Sequence, residues 1–223
     1  MEKFIKHYVG EPITLELLGK TELSGTLVDW GADVLVLFKQ DEFFYIPFFH
    51  IREIELLSNK EASTLAQPDA IPTLAVTEML SLEKILLAAK GTFVEIDVTA
   101  AQPLHGHITN TLDDYIVFSS PIYQTMLIPF QHIKRLTPYP AASRPYRFNS
   151  SISPLASTAK PFATTFDNQL EDMIGTFATC NIGDKKSISG KLLHKEDHFI
   201  SLLTVKEKQI HVNIHHIKTI TCT

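Results

Sequence analysis

The sequence predicts a mainly β protein built from three tandem small barrels, each a bent five-stranded sheet with a short N-terminal helix. One observation behind this is a set of landmarks that recurs three times along the chain. The other is a change from helical to strand periodicity inside each copy. The 223 residues, 44% of them hydrophobic and 14 of them phenylalanine, supply enough apolar surface for several packed cores.

The landmarks are two glycines and an apolar run that ends in His-Ile. In the three copies they are Gly10, Gly25 and residues 46–51; Gly91, Gly106 and residues 128–133; and Gly175, Gly190 and residues 212–217. Because they recur in order and at nearly constant spacing, we predict repeats at residues 1–57, 78–137 and 166–223. The linkers are then residues 58–77 and 138–165. The second linker is rich in proline and serine and lacks periodicity, so we expect it to be extended and mobile.

Each copy is expected to begin with a short helix, which is clearest at residues 82–89 and stops at Gly91. Alternating apolar residues then predict a first strand, as at Ile13, Leu15 and Leu17. A second strand passes through the second landmark glycine, and glycine inside a strand indicates a bulge or a sharp bend. A third apolar strand, a fourth that ends at the Ile-Pro step and a short fifth complete the predicted barrel.

Charge and composition argue against several classes of protein. The net charge of −5 lacks the basic excess that nucleic-acid binding requires. Two cysteines cannot build a disulfide framework, and no leader or long apolar run indicates export or a membrane span. The sequence therefore predicts a cytoplasmic protein with neither a nucleic-acid partner nor a membrane partner.

The order of elements resembles the Sm and Sm-like (LSm) fold. More narrowly, it is similar to small uncharacterised Sm-like domains of endospore-forming Firmicutes, some of them associated with spore coats. The matching positions in the first copy are Gly10, Leu15, Gly25-Thr26-Leu27-Val28, Val34-Leu35-Val36-Leu37, Tyr45-Ile46-Pro47, His50-Ile51 and Ile54. The resemblance implies bent barrels that pair edge to edge into rings, and a spore as a second expected location.

The RNA-contacting positions of the Sm family are not retained. Where its members carry an Asp and an Asn near the third strand, the copies have Gly31, Leu112 and Glu196, and then Leu35, Ile116 and Ile200. In place of the Arg-Gly step stand Ile46-Pro47, Ile128-Pro129 and Val212-Asn213. Aliphatic residues offer a base neither hydrogen bonds nor an aromatic stacking surface. The fold can therefore be kept without the RNA chemistry.

Five aromatic residues crowd the fourth strand of the first copy and the turn after it. They are Phe43, Phe44, Tyr45, Phe48 and Phe49. Because this exceeds what one strand face buries within a small barrel, we predict that they contact a neighbouring barrel by strand addition. The alternative is that they fill the end of their own barrel.

The histidines offer the remaining candidates for chemistry. His50, His132 and His216 recur at one position after the Ile-Pro step, so we interpret them as structural residues that cap a turn. The third copy adds His194, His198, His211 and His215, which suit transition metals but lack a completed ligand set. No nucleophile motif or phosphate-binding loop is present. We therefore predict no catalytic residue, no metal and no cofactor.

The function that these observations favour is a non-enzymatic assembly or scaffold protein, with a spore coat as its expected setting. The partner is another protein or a second copy, and two chains could close six barrels into a ring. Two alternatives stay open: an RNA-binding Sm-like regulator, and a metal-sensing or small-molecule-sensing module that uses the histidine-rich third repeat.

Overall fold

The computed structural model describes residues 5–57, 72, 74, 76, 79–99, 102–140, 143, 145–147 and 161–222. The first predicted linker, residues 58–77, lies almost wholly outside the described residues, as does the middle of the second. The chain divides into two compact units. One comprises Met1–Ile96 with Lys134–Ser143, and the other comprises Asp97–Ile133 with Arg144–Thr223. The second repeat therefore contributes strands to both units.

Each repeat contributes five strands to the described part of the chain. In the first repeat these are β1 Pro12–Leu17, β2 Thr21–Trp30, β3 Val34–Lys39, β4 Glu42–Pro47 and β5 Ile51–Leu56. The second repeat has helix α1 Leu82–Ala88, then β6 Phe93–Asp97, β7 Leu104–Thr111, β8 Tyr115–Ser120, β9 Gln124–Pro129 and β10 Arg135–Pro138. The third has helix α2 Phe166–Asp172, then β11 Phe177–Cys180, β12 Ile188–Glu196, β13 Phe199–Leu203, β14 Gln209–Asn213 and β15 Ile220–Cys222.

The mainly β class is confirmed, whereas three separate barrels are not supported. Strands of the first unit follow the order β6-β10-β4-β3-β2-β1-β5, and those of the second follow β14-β13-β12-β11-β15-β9-β8-β7. Neither order closes on itself among the described residues. Because β4 pairs with β10 of the next repeat and β9 pairs with β15, each sheet continues from one repeat into the next and is not closed within a repeat. The sheets are open.

The landmark glycines of the second strands allow the close approach of the third strands. A Cβ at each would meet an opposing main-chain oxygen, at 2.8 Å for Gly25, 2.2 Å for Gly106 and 2.6 Å for Gly190. The pairing register then shifts at the same place in all three repeats, between Leu27 and Asp29, Ile108 and Asn110, and Leu192 and His194. The predicted bulge is confirmed, three residues beyond the glycine rather than at it.

Helices α1 and α2 each begin after a Ser or Thr whose side chain caps the first turn. Ser81 Oγ accepts from Lys84 N at 3.3 Å before α1, and Thr165 Oγ1 accepts from Asn168 N at 3.3 Å before α2. Gly91 follows α1 at φ 77°, a left-handed conformation that glycine adopts without strain. In the first repeat the described residues begin at Ile5, which is helical, and continue with the 3-10 turn Lys6–Tyr8.

The predicted alternation of β1 is confirmed, since Ile13, Leu15 and Leu17 are buried on one face of the strand. They join the core of the first unit. In the second unit, α2 places Phe166, Leu170 and Met173 against the strands of the third repeat and against β8. No helix in the described ranges has the length and apolar character that crossing a membrane requires.

Candidate assembly interface

The fourth strand of the first repeat lies between two partners. On one side β4 pairs with β3, and on the other Tyr45 lies opposite Leu136 of β10. The guanidinium of Arg135 lies 4.9 Å from the ring centroid of Phe44 and forms an ion pair with Glu95 at 2.5 Å. A guanidinium over an aromatic ring is a favourable contact that strengthens as water is excluded. Here the second repeat's fifth strand covers part of the first repeat's aromatic cluster.

The five predicted interaction residues do not share one environment. Phe43, Phe44 and Tyr45 are buried, Phe48 is half-buried, and Phe49 is 50% exposed. Phe43 packs against the ring of Phe38 in its own repeat, at 5.1 Å between centroids. Only the middle of the cluster is therefore described in contact with β10, and Phe43 follows the alternative interpretation of filling its own repeat.

The second junction repeats the geometry of the first. Leu127 of β9 lies opposite Ile220 of β15, and Met126 lies opposite Thr221. Leu127 occupies the same position as Tyr45, because each lies opposite the third residue of its repeat's third strand. At both junctions, then, the fourth strand of one repeat pairs with the fifth strand of the next in the same register.

Two terminal edges have no described strand beyond them. One is β5, where Arg52, Glu53 and Glu55 are exposed. The other is β14, whose exposed side chains include Gln209 and His211. Lys206 and Lys208 lie exposed in the turn that leads into β14. The charged side chains exposed on β5 are thus two glutamates and one arginine, whereas β14 itself carries no Lys, Arg, Asp or Glu and the turn before it carries two lysines and Glu207.

A second kind of contact links consecutive repeats, and sequence reasoning missed it. The segment before α1 lies on the β2–β3 turn of the first repeat: Ala32 N donates to Leu80 O at 2.7 Å, and Leu82 N donates to Asp33 Oδ1 at 2.8 Å. We call this surface the first connector groove. Tyr45 contributes to it by accepting from Leu74 N at 3.2 Å.

The second connector groove has the same construction in the second unit. Asp113 N donates to Thr164 O at 3.0 Å, and Phe166 N donates to Asp114 Oδ1 at 2.7 Å. Tyr115 donates from its hydroxyl to Ala163 O at 2.6 Å. The recurring signal in the sequence is an Asp at the same turn position, Asp33 and Asp114, followed by a Ser or Thr before the next helix.

Both tyrosines of these grooves are hard to ionise. Burial raises the pKa of Tyr45 to about 12 from its ordinary value of 10.0; the hydrogen bond from Leu74 N lowers it, and the nearby charge of Asp29 raises it. Burial also raises the pKa of Tyr115, with Asp114 and Asp172 adding to the effect. Each hydroxyl therefore stays neutral at physiological pH and serves as a hydrogen-bonding group.

The recurring histidines lie at the third position of a 3-10 turn. The turns are Phe48–His50, Phe130–His132 and Ile214–His216, and each is closed by a main-chain bond from the following isoleucine. His50 is buried with its ring 4.3 Å from that of Phe49, while His216 is exposed. Since the main chain closes the turn, capping by the imidazole stays a prediction.

The histidines of the third repeat form two pairs. Ser201 Oγ lies 3.0 Å from His194 Nε2 and 2.7 Å from His211 Nδ1, in a row across three adjacent strands. The rings of His198 and His215 are 5.5 Å apart. Among the described residues, no group of three or more His, Cys, Asp or Glu side chains is arranged to hold a metal ion.

Comparison with known proteins finds sequence similarity along nearly the whole chain. The chain is 29% identical over 220 residues to the uncharacterized protein YwrJ of Bacillus subtilis (strain 168), a match that covers 97% of this chain and 98% of that protein. A family model described as the YwrJ third domain matches residues 165–220. That interval holds α2, β11 to β14 and the first residue of β15.

Proposed function

We propose that this protein is a non-enzymatic assembly protein whose copies associate through their terminal strand edges. The observation that carries the proposal is the equivalence of the two internal junctions, in which a fourth strand pairs with a fifth strand in one register. The terminal edges are the same two elements, β14 and β5. An unpaired edge presents a row of main-chain donors and acceptors that an identical junction would satisfy.

The register of the internal junctions predicts the register between copies. In the third repeat, His211 is the residue that corresponds to Tyr45 and Leu127. In the first repeat, Ile54 is the residue that corresponds to Leu136 and Ile220. Pairing Ile54 with His211 in antiparallel sense puts Glu55 opposite Ile210. Glu55 is then the diagonal neighbour of Lys208, within reach of long side chains. Charge complementarity thus favours a second copy as the partner.

A homodimer that closes its two pairs of edges is the expected product. Light scattering across a concentration series measures this, and a mass near twice 25.1 kDa is the expected plateau. A mass that keeps rising with concentration would indicate an open chain of copies. A monomer at every concentration would defeat the proposal and make the polar β14 a strand that blocks association.

A charge-reversal series tests the register itself. Glu55→Lys and Lys208→Glu should each weaken the dimer by up to roughly thirtyfold, since each alters both junctions of the closed dimer and one exposed ion pair contributes up to about 1 kcal/mol. The double variant should regain most of the loss, because it restores the pair in the opposite sense. Lys186→Glu, at an exposed position away from both edges, is the matched control. Equal effects from the control would mean that net charge, not pairing, controls association.

The absence of catalysis is part of this proposal. Ser201, with its hydroxyl beside two imidazoles, has the surroundings most similar to those of a catalytic nucleophile and base. Its side chain, however, is only 2% exposed and is shared between His194 and His211. Glu196 lies 4.0 Å from His194 Nε2, the ring nitrogen that already faces Ser201. It therefore does not orient the imidazole through the far nitrogen as the acid of a catalytic triad does.

The RNA-binding alternative has no specific support in the structure. Leu35, Ile116 and Ile200, which replace the base-contacting Asn of the Sm family, are all fully buried. We propose a spore coat as the setting on the resemblance alone. A fluorescent fusion expressed during sporulation in the native host tests it, and diffuse signal throughout the cell would count against it.

A further inference from the structure

The third repeat has a groove at the place where the first two repeats hold a connector. The three turns correspond, because the same main-chain bond joins Phe48 N to Asp33 O, Phe130 N to Asp114 O, and Ile214 N to His198 O. His198 therefore stands where Asp33 and Asp114 hold the amide of the next helix. The following residues, Val34, Tyr115 and Phe199, correspond as well.

Exposure distinguishes this third groove from the other two. Val34 and Tyr115 are fully buried in their grooves, whereas Phe199 is 45% exposed. A cavity of about 430 Å³ lies beside it. It is lined by Glu196, Asp197, His198, Phe199, Ser201 and His211. An exposed aromatic ring next to a cavity is the usual form of an apolar anchor site.

We propose that this groove, which we call the client groove, binds an extended segment of a different polypeptide. The segment carries a Ser or Thr followed by Leu or Phe at the start of a helix. This chemistry is taken from the two connectors, in which Ser81 precedes Leu82 and Thr165 precedes Phe166. In the second groove the ring of Phe166 lies 5.7 Å from that of Tyr115, and Phe199 offers the equivalent surface.

The occupant comes from another polypeptide because the described part of this chain has no such segment free. Both Ser/Thr-capped helix starts are already bound within their own chain. In the described part of the first repeat, the 3-10 turn Lys6–Tyr8 has no side-chain capping bond at its N-cap, Ile5. A second copy therefore has nothing of this chemistry to offer among the described residues.

The groove differs from its two counterparts in ways that set its preference. His198 replaces an aspartate, so the acceptor offered to a client amide is an imidazole ring nitrogen, which is a weaker acceptor than a carboxylate. Glu196 adds an acidic side chain to the rim, where the other two grooves have Gly31 and Leu112. A basic residue flanking the anchor is therefore favoured in the client.

The probe for this proposal is a synthetic peptide of residues 160–174, which carries a lysine before the capped helix start. Titrated into the full chain and followed by NMR, it should perturb Phe199, His198 and His211 and saturate at roughly 0.1–1 mM. Weak binding is expected of this peptide because, in its own chain, the same segment is tethered to the second connector groove at roughly millimolar effective concentration. Signals of Tyr115 and Asp114 should stay unchanged if the peptide does not displace the native connector.

Two variants of the full chain test the anchor and the acceptor. Phe199→Ser should weaken binding at least tenfold, whereas Phe177→Ser, also at an exposed phenylalanine of this repeat, should leave it unchanged. His198→Asp should strengthen binding about threefold by restoring the carboxylate acceptor. A peptide in which Phe166 is replaced by Asp should fail to bind.

Three results would overturn the inference. One is the lack of any shift at millimolar peptide; another is equal binding of the Phe166→Asp peptide. The third is loss of self-association in Phe199→Ser without peptide binding, which would assign the groove to a second copy. The proposed dimer is judged by light scattering and the Glu55–Lys208 pair, so either proposal can fail while the other stands.

Discussion

The first connector groove leaves no room for a side chain at Gly31. A Cβ built there would lie 2.0 Å from Leu80 O and 2.5 Å from the Leu80 carbonyl carbon, both main-chain atoms that no rotamer change can move. Gly31→Ala should therefore push the segment before α1 off the β2–β3 turn. The φ angle of Gly31 is not in the left-handed region, so backbone strain at the glycine itself does not contribute.

The free-energy cost of Gly31→Ala follows from the hydrogen bonds and apolar contacts that the substitution would break. The bond from Ala32 N to Leu80 O and the bond from Leu82 N to the Asp33 carboxylate would both be broken. A neutral hydrogen bond contributes about 0.5–1.5 kcal/mol, and one to a charged group contributes about 1.5–3 kcal/mol. Leu80 and Leu82, now buried, would also be partly exposed. We expect docking of the connector to weaken by about 2–4 kcal/mol.

Native-state hydrogen exchange of the Ala32 and Leu82 amides measures the loss directly. Gly31→Ala should speed their exchange at least thirtyfold, which corresponds to about 2 kcal/mol. Glu196→Ala changes the same position of the third repeat, where no connector is described, and should leave both amides protected. Unchanged protection in Gly31→Ala would refute the view that the groove holds the connector by close main-chain contact.

Three further experiments have expected outcomes. Burial raises the pKa of Tyr45 to about 12, so between pH 10 and 12 only the unfolded state releases the proton and the free energy of unfolding falls. In Tyr45→Phe this fall should be smaller by about 2–3 kcal/mol, as measured by urea unfolding at each pH. Gly106→Ala should destabilise the protein by about 1–3 kcal/mol, because the added Cβ would clash with Ser119 O. The Cβ of Gly91→Ala would have no atom within 4 Å, so only its positive φ should cost stability, about 1 kcal/mol in thermal unfolding. Lys195→Met removes the ion pairs to two carboxylates of α2. The free energy of unfolding should fall by about 1 kcal/mol at low salt and by less in 1 M salt. Equal losses of stability at both salt concentrations would exclude an electrostatic cause.

Much of the local structure could be predicted because it depends on neighbouring residues. The alternation at Ile13 and Leu15 depends only on the period of a strand. The stop at Gly91 depends only on the φ angle that glycine allows. The close approach at Gly106 was predicted as a bulge or bend, and the sequence pattern does not distinguish which residue carries the register shift. Each of these needs no information about distant parts of the chain.

Contacts between repeats could not be derived in the same way. The pairing of Tyr45 with Leu136 and the capping of Leu82 by Asp33 each join residues far apart in sequence. Several partners of similar hydrophobicity compete for each edge, and periodicity does not rank them. Strand addition at the fourth strand was expected, but periodicity named neither β10 as the partner nor the register of the pair. The expectation of barrels failed because the described strands form open sheets that run from one repeat into the next. From the sequence alone, Tyr45 is one aromatic side chain more than its own barrel can bury. In the structure its hydroxyl accepts a hydrogen bond from Leu74 N.

The pairing of β4 with β10 also constrains how the protein is made. During synthesis β4 leaves the ribosome with Phe44 and Tyr45 on an edge whose partner has not yet been translated. At roughly 5–20 residues per second, the interval between Pro47 and Arg135 lasts several seconds. In that time the edge is open to pairing with another nascent chain. Slow synthesis of residues 48–134 should therefore favour aggregation, and a chaperone that covers this strand should favour correct pairing.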